Sequence, residues 1–198
     1  VIKEIQNKVG ITTVYVTHDQ EEAMAVSDRI AVMNGGVIQH IGTPKNIYQR
    51  PANLFVATFI GRTNILKGKL IVDGGFTYLE TASGYRAEIK GVQNKYRKNQ
   101  DIVISVRPEE FRLTTEGSGI SATVKSCVFL GLNTHYFVTL STGEDAEIIQ
   151  ESSIDSIIEP GSEIRLTINT QKVNLFTADG SANILSGVIN DNEKGEDK

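Results

Sequence analysis

The sequence has little of several features that would point to a specialised class of protein. Its 198 residues include one cysteine, Cys127, and no tryptophan. One cysteine cannot form an internal disulfide, so a disulfide-stabilised secreted scaffold is excluded and a reducing compartment is favoured. The net charge of −4 gives no support for binding to nucleic acid or to an anionic membrane surface.

Long apolar runs and metal-binding spacings are also missing. No stretch has the ~18 apolar residues of a membrane-spanning helix, and the N-terminus has no cationic segment followed by an apolar one. We therefore expect no direct membrane insertion, and any link to a membrane to run through a partner protein. The three histidines, His18, His40 and His135, lie far apart and have no CxxC or HxxxH partner, so no metal site is expected.

Residues 1–61 alternate between helix and strand signals. The segment "VIKEIQNKVG" predicts an amphipathic helix ended by Gly10. The β-branched run "TTVYVT" (12–17) predicts a short strand buried on both faces of a sheet. Asp19 followed by Glu22 has the spacing of a helix-capping box, so a helix should begin directly after this strand.

The rest of this region continues the alternation. Residues 29–42 predict a hairpin with its turn at Asn34-Gly35. Thr43-Pro44 has the pattern of a helix start, with threonine as the cap and proline at the first position. Arg50-Pro51 should interrupt that helix before an apolar segment, 52–61, continues it. Together these signals predict α/β structure.

From about Arg62 onward the helical period disappears. Short β runs separated by glycine-containing turns predict a small all-β barrel over residues 62–188. The basic segment "NKYRK" (94–98) is interpreted as a solvated loop. Residues 189–198 form an acidic, polar end that we expect to be disordered.

His18 stands at the end of the predicted strand and just before the predicted helix. Open α/β sheets place their ligands at this edge, but a lone histidine at such a position is more often structural. No nucleophile motif accompanies it, and Asp19 and the following acids have a simpler role in stabilising a helix N-terminus. The residues alone leave the role of His18 open.

A family resemblance adds to this interpretation. The segment "GITTVYVTHDQEEAMAVSDRIAVMNGGVIQHIGTPKNIYQRPANLFVATFIG" (10–61) resembles the C-terminal end of the ATP-binding subunits of ABC importers for maltose, glycerol phosphate, polyamines and ferric iron. The second region resembles their transport-associated OB-type (TOBE) domain, with "SVRPEEFRL" (105–113) as its signature. The resemblance implies an α/β remnant of a P-loop ATPase domain over 1–61, followed by an all-β OB-type small barrel.

The same resemblance implies a function for His18. It matches the switch histidine, the catalytic residue that contacts the γ-phosphate of ATP and helps to position the attacking water in the full-length dimer. The parent would then use ATP and Mg²⁺, form a homodimer and dock on two integral-membrane permease subunits. It would lie in the cytoplasm, peripheral on the inner face of the cell membrane, and would bind no nucleic acid.

Several motifs of the family are absent from the sequence. The phosphate-binding loop GxxxxGK[ST], the Walker B acids, the glutamate base and the LSGGQ-type signature are not found. We therefore expect a chain cut just before the helix at Val1, unable to bind or hydrolyse ATP by itself and holding no metal or cofactor. Residues 1–61 should then pack on the barrel or exchange with a second copy.

Other interpretations stay open. The runner-up is a stand-alone OB-type module that binds a small oxyanion or a partner protein. A nucleic-acid binder is less favoured, because the basic loop offers only Tyr96 for stacking and acids such as Glu144 and Glu147 lie on the strands. Arg107 and Glu109 of the signature can be read as a simple ion pair. The transported solute, whether iron(III), aminoalkylphosphonate, polyamine or sugar, is not indicated.

Overall fold

The computed structural model describes residues 2–114, 118–152 and 157–192, and the chain divides into two compact units. Unit 1 contains Val1–Gly61 and Gly187–Lys198, and unit 2 contains Arg62–Ser186. Unit 2 is thus inserted into the sequence of unit 1. The chain connects the two units twice, once after Gly61 and once before Gly187.

Unit 1 consists of four short helices and a hairpin. In chain order its elements are α1 (Ile2–Val9), α2 (Gln20–Val26), β1 (Ile30–Asn34), β2 (Val37–Gly42), α3 (Pro44–Gln49) and α4 (Leu54–Phe59). The predicted end of α1 and the predicted start of α3 are confirmed. Gly10 ends α1 with a φ of 66°, and the Thr43 side chain accepts a hydrogen bond from the Asn46 amide at 3.3 Å.

The hairpin turn lies one residue later than predicted. Asn34 pairs with Val37 as the last pair of the ladder, so Gly35 and Gly36 form the two-residue loop. Their φ angles are 56° and 80°, the left-handed region that a type I′ turn requires at both central positions. A glycine pair meets this requirement better than Asn34-Gly35 because neither residue has a Cβ.

The predicted strand at 12–17 is wrong. These residues have no regular structure, and the sheet of unit 1 contains only the antiparallel pair β1–β2 among the described residues. Val14 and Val16 are 87% and 91% exposed. A strand pattern becomes a strand only where a neighbour supplies hydrogen bonds and cover, and no described segment of unit 1 does so here.

Unit 1 has a small core of its own. Val32 of β1, Ile47 of α3 and Val56 of α4 are buried together with Ile60, and Met24 of α2 packs against them. The helices α3 and α4 therefore cover one face of the hairpin.

Unit 2 is all-β. Its strands are β3 (Asn64–Asp73), β4 (Phe76–Thr81), β5 (Arg86–Glu88), β6 (Gln100–Val106), β7 (Phe111–Thr114), β8 (Ile120–Phe129), β9 (Asn133–Leu140), β10 (Asp145–Glu151), β11 (Glu163–Ile168) and β12 (Asn174–Thr177). They form two antiparallel five-stranded sheets, ordered β10-β9-β8-β11-β7 and β12-β6-β3-β4-β5. Single 3₁₀ turns occur at Asn94–Tyr96 and Pro108–Glu110.

The two sheets of unit 2 share one hydrophobic core. Leu70 and Ile104 from one sheet belong to the same buried cluster as Val138, Ile148 and Leu166 from the other, and all are fully buried or nearly so. Inward-facing residues alternate with exposed ones along β3 and β9, which is the pattern of strands with one covered face. The all-β, OB-like character expected for this region is confirmed.

The end of the chain differs from the predicted disordered tail over its first residues. Asn190 and Asp191 make backbone and side-chain hydrogen bonds to Ile41 of β2, so they are part of unit 1. We call residues 187–192 the C-terminal strap. The remainder of the predicted tail, 193–198, lies outside the described residues.

Gly68 marks the closest approach inside unit 2. It pairs with Thr81 of β4 and Ile102 of β6. A Cβ at this position would lie 2.5 Å from both the Glu80 carbonyl oxygen and the Ile104 Cδ1. Because the carbonyl belongs to the backbone of a paired strand, it cannot move aside without disturbing the sheet.

We predict that Gly68→Ala destabilises unit 2 by about 1–3 kcal/mol, the usual cost of overpacking a core. Chemical denaturation followed by circular dichroism measures this change. Lys67→Ala is the matched control, since Lys67 is an exposed neighbour on the same strand, and it should change the free energy of unfolding by less than about 0.5 kcal/mol. Equal stability of the two variants would contradict the steric argument.

Candidate functional site

His18 lies in a tight corner just before α2. The Thr17 hydroxyl accepts a hydrogen bond from the Asp19 amide at 2.9 Å, and the Asp19 carboxylate accepts one from the Glu22 amide at 2.9 Å. These two bonds fix the backbone on either side of the histidine. The capping predicted for Asp19 is confirmed, because its side chain satisfies one of the unpaired amides at the helix start.

The imidazole of His18 is exposed to solvent. No hydrogen bond or ion pair involves its ring within the part of the chain that the structure describes. The corner therefore presents one imidazole, able to donate a hydrogen bond to an anion, on a fixed backbone. The sequence predicted that His18 lies at the edge of a sheet. This prediction is wrong, because residues 12–17 form no strand.

Tyr15 contacts the same helix from the other side of the corner. Its hydroxyl donates to the Glu22 carboxylate at 2.8 Å. This hydrogen bond, with a smaller contribution from the negative charge of Glu22, raises the pKa of Tyr15. The contact ties the irregular segment before His18 to α2.

The structure does not bring the three histidines together. His40 is fully buried in β2 of unit 1, where its ring contacts the Ile189 carbonyl and the Ala52 amide. His135 lies on β9 of unit 2 and pairs with Glu147 at 2.9 Å. Each histidine has a different environment, and sequence spacing alone could not have separated them.

The described residues do not fit ATP with its Mg²⁺. No group of three or more histidine, cysteine or acidic side chains able to hold a metal occurs among residues 2–114, 118–152 and 157–192. The nearby glycine pair, Gly35 and Gly36, forms a hairpin turn rather than a phosphate-binding loop before a helix. His18 is the one candidate phosphate contact at this corner, which is too little to hold a nucleotide.

Glu147 organises a polar cluster that the sequence did not indicate. Arg62 contacts both of its carboxylate oxygens at 3.0 Å, and His135 contacts one of them. The Asn64 side chain brackets the Glu147 backbone, accepting from its amide at 2.8 Å and donating to its carbonyl at 2.8 Å. These contacts join β3 to β10, which are more than 80 residues apart in sequence, so no local pattern could reveal them.

The signature "SVRPEEFRL" has a structural role in unit 2. Arg107 is buried and donates to the Arg62 carbonyl at 2.9 Å. Pro108 ends β6 and begins a 3₁₀ turn, as expected from its missing amide hydrogen. Glu110 contacts Asn169 at 2.7 Å and Lys172 at 3.5 Å.

An open groove of about 800 Å³ crosses the sheet that contains β8. Its polar lining includes Thr123, Thr139 and Ser141, with Glu163 and Arg165 of β11. An acid and a base in the same lining give the groove no preference for an anion. The basic loop at 94–98 is exposed, as predicted, and lies outside this groove.

No helix among the described residues is both long enough and apolar enough to cross a membrane.

Comparison with known proteins identifies the second half of unit 2. The TOBE domain family matches residues 104–176, from β6 to β12. The chain carries a TOBE domain. This match lies entirely within unit 2, so the family predicted from the signature segment is confirmed.

The relatives extend this assignment to nearly the whole chain. The chain is 59% identical over 192 residues to "Fe(3+) ions import ATP-binding protein FbpC" of Fusobacterium nucleatum, covering 96% of this chain and 50% of that protein. It is 37% identical over 186 residues to "Spermidine/putrescine import ATP-binding protein PotA 1" of Pseudomonas aeruginosa, covering 93% and 48%. A PotA protein of Rubrobacter xylanophilus is 44% identical over 146 residues, covering 72% and 38%.

The chain is therefore homologous to the ATP-binding subunits of ABC importers and matches their C-terminal part, including the TOBE domain. It spans about half the length of the curated relatives it matches. Among solved structures, the molybdate-bound form of the cytoplasmic molybdate-binding protein ModG matches 58% of this chain and 95% of its own, with 16% identity and a TM-score of 0.47. That score is too low to add to the argument.

We predict that Asp19→Ala lowers the local stability of α2 by about 1 kcal/mol, because the cap at Glu22 is lost. Backbone chemical shifts and amide exchange over Gln20–Val26 measure the effect. Asp19→Asn keeps an acceptor oxygen and serves as the control, with close to wild-type helicity. If Asp19→Ala leaves α2 as protected as the wild type, the capping bond does not hold the corner.

Proposed function

We propose that this chain is the C-terminal part of the ATP-hydrolysing subunit of an ABC importer. It would contribute the switch-histidine corner, the last elements of the P-loop ATPase domain and the regulatory TOBE domain. The observation that supports this most strongly is the 59% identity over 192 residues to an import ATP-binding protein of twice the length. An unrelated OB-type module would have no reason to match over residues 1–61 as well.

The proposed role of His18 is the γ-phosphate contact of the switch histidine. Phosphoryl transfer depends on positioned donors and charge stabilisation more than on covalent chemistry. An exposed imidazole held between the Thr17 and Asp19 bonds is a donor of this kind. The nucleotide itself would be held by the missing half of the subunit and by a second copy.

Residues 12–17 have a proposed place in the same parent. Val14 and Val16 are almost fully exposed here, and the β-branched composition of the segment suits a strand in a covered sheet. We propose that it pairs with strands of the missing half, which would restore the α/β character of the ATPase domain and place His18 at the sheet edge.

The chain by itself should neither bind nor hydrolyse ATP, since it contains no phosphate-binding loop. The full-length subunit would act as a homodimer docked on two permease subunits at the inner face of the cell membrane. Ferric ion is the favoured solute, because identity to the ferric-ion relative is 59% whereas identity to two spermidine/putrescine relatives is 37% and 44%.

We predict that His18→Ala in the full-length subunit lowers ATP turnover by roughly a hundredfold or more, a typical loss for a positioned group at the reacting centre. Steady-state phosphate release measures it, and circular dichroism checks the fold. Leu132→Ala is the control variant, since Leu132 is exposed in unit 2. Turnover at the wild-type level in the His18 variant would overturn the proposed role of the corner.

We predict that solute dependence follows the ferric-ion relative. The full-length subunit, reconstituted with its permease subunits, should hydrolyse ATP faster when the ferric-ion-loaded binding protein of the same transport system is added. The spermidine-loaded binding protein of a polyamine importer is the control and should have no effect. Stimulation by the polyamine protein alone would replace iron with a polyamine as the solute.

A further inference from the structure

The C-terminal strap is held on β2 by a buried histidine that contacts it directly. His40 is fully buried. Its Nε2 lies 2.8 Å from the Ile189 carbonyl oxygen of the strap. Its Nδ1 accepts a hydrogen bond from the Ala52 backbone amide at 3.2 Å. One ring thus joins three segments that are distant in sequence.

These two partners fix the protonation state of the ring. A carbonyl oxygen can only accept, so Nε2 must carry the hydrogen in the bond to Ile189. A backbone amide can only donate, so Nδ1 must be unprotonated to receive the bond from Ala52. The neutral imidazole satisfies both contacts. A protonated ring would set an N–H of His40 against the N–H of Ala52 and lose this hydrogen bond.

Among the other strap contacts, the two hydrogen bonds to Ile41 involve no titrating group. The Asn190 side chain accepts from the Ile41 amide at 2.9 Å, and the Asp191 amide donates to the Ile41 carbonyl at 2.8 Å. Arg29 pairs with the Asp191 carboxylate at 2.9 Å. The Arg29 side chain is 60% exposed, and such surface pairs contribute little.

Gly42 shows how closely the strap fits. A Cβ on Gly42 would lie 3.1 Å from the Ile189 carbonyl oxygen and 3.3 Å from the His40 Nε2. The His40 ring and the strap therefore lie so close to Gly42 that a side chain at this position would force its neighbours to shift.

The charged residues on or next to the elements that surround His40 are mostly basic, so they disfavour a positive charge on its ring. Arg29 precedes β1, Lys45 lies on α3 and Arg50 follows α3, whereas β2 and α4 carry no charged residue. Burial lowers the pKa of Arg50 from its ordinary value. Asp191 is the acid on the described part of the strap, and it is already paired with Arg29.

We propose that His40 makes the strap a pH-sensitive latch. The neutral ring holds residues 187–192 on β2, and protonation of the ring releases them. The strap is one of the two chain connections between the TOBE-containing unit and unit 1. Its release at low pH leaves that unit attached only through the connection after Gly61. This inference concerns the chain itself and does not depend on the proposed function.

Hydrogen exchange tests the latch on the intact 198-residue chain. The Ile41 and Asp191 amides are both hydrogen-bonded across the contact between strap and β2. Their exchange is followed by NMR between pH 8 and pH 5 and corrected for the intrinsic rate. Because opening takes up one proton, their protection should fall by up to about tenfold per pH unit below the ordinary histidine range near 6.5. A chain ending at Ser186, which keeps the Ile41 amide, supplies the fully released reference for that amide.

Two variants separate His40 from other titrating groups. His40→Gln offers a donor and an acceptor but does not titrate, so the fall in protection should disappear. Asp191→Asn removes the acid of the strap and should keep the fall, since His40 remains. If protection in the wild type is the same at pH 8 and pH 5, or falls equally in His40→Gln, the latch is refuted.

A direct measurement covers the case in which His40→Gln does not fold. Nitrogen-15 shifts of the wild-type ring report which nitrogen carries hydrogen. We expect an unprotonated Nδ1 at neutral pH, and its protonation only at pH values at which the Ile41 and Asp191 amides have already lost protection. A protonated Nδ1 at neutral pH, or ring titration without loss of protection, would overturn the proposal.

Discussion

An apolar, β-branched segment of this chain forms a strand only where another element packs on its apolar face. In unit 2 each five-stranded sheet covers the other, so Leu70, Ile104 and Val138 are fully buried in one core. In unit 1 the hairpin β1–β2 is covered by α3 and α4, but residues 12–17 have no cover and remain irregular. The same apolar, β-branched composition thus gives a strand in one place and an exposed segment in another. The difference lies in the neighbouring segments and not in the residues themselves.

The double connection between the units follows from the position of the strap. Because residues 187–192 return to β2, unit 1 contains both ends of the chain and unit 2 is an insertion within it. An inserted domain with two connections is more restricted than one attached by a single linker, since closing a loop limits the conformations available to it. Release of one connection therefore increases the number of conformations available to the inserted domain without altering its core.

Local signals in the sequence predicted local structure well. Gly10 ends α1, Thr43 caps α3 and Asp19 caps α2, and each depends on residues no more than four positions away. The strand pattern of unit 2 was equally clear, because alternation and glycine turns are also local. Apart from the one-residue shift of the hairpin turn, the errors arose where the partner is distant. His40 meets Ile189 across 149 positions, and Asn64 meets Glu147 across 83, so neither contact has a sequence signature. Residues 12–17 show the opposite situation. Their local pattern is typical of a strand, but no described segment pairs with them.

The three histidines show why the candidate site could be predicted only in part. Residue type gives each the same intrinsic chemistry, but the environment decides what each can do. His40 is buried between an acceptor and a donor, which selects its neutral form. His135 lies beside Glu147, which Arg62 also contacts, so its ring belongs to a cluster of polar groups. His18 alone is exposed on a fixed backbone with no ring partner among the described residues, and it therefore keeps its full capacity to donate to a phosphate. A role in contacting an anion brought by another part of the protein is compatible with that environment, whereas the rings of His40 and His135 already contact other groups of this chain.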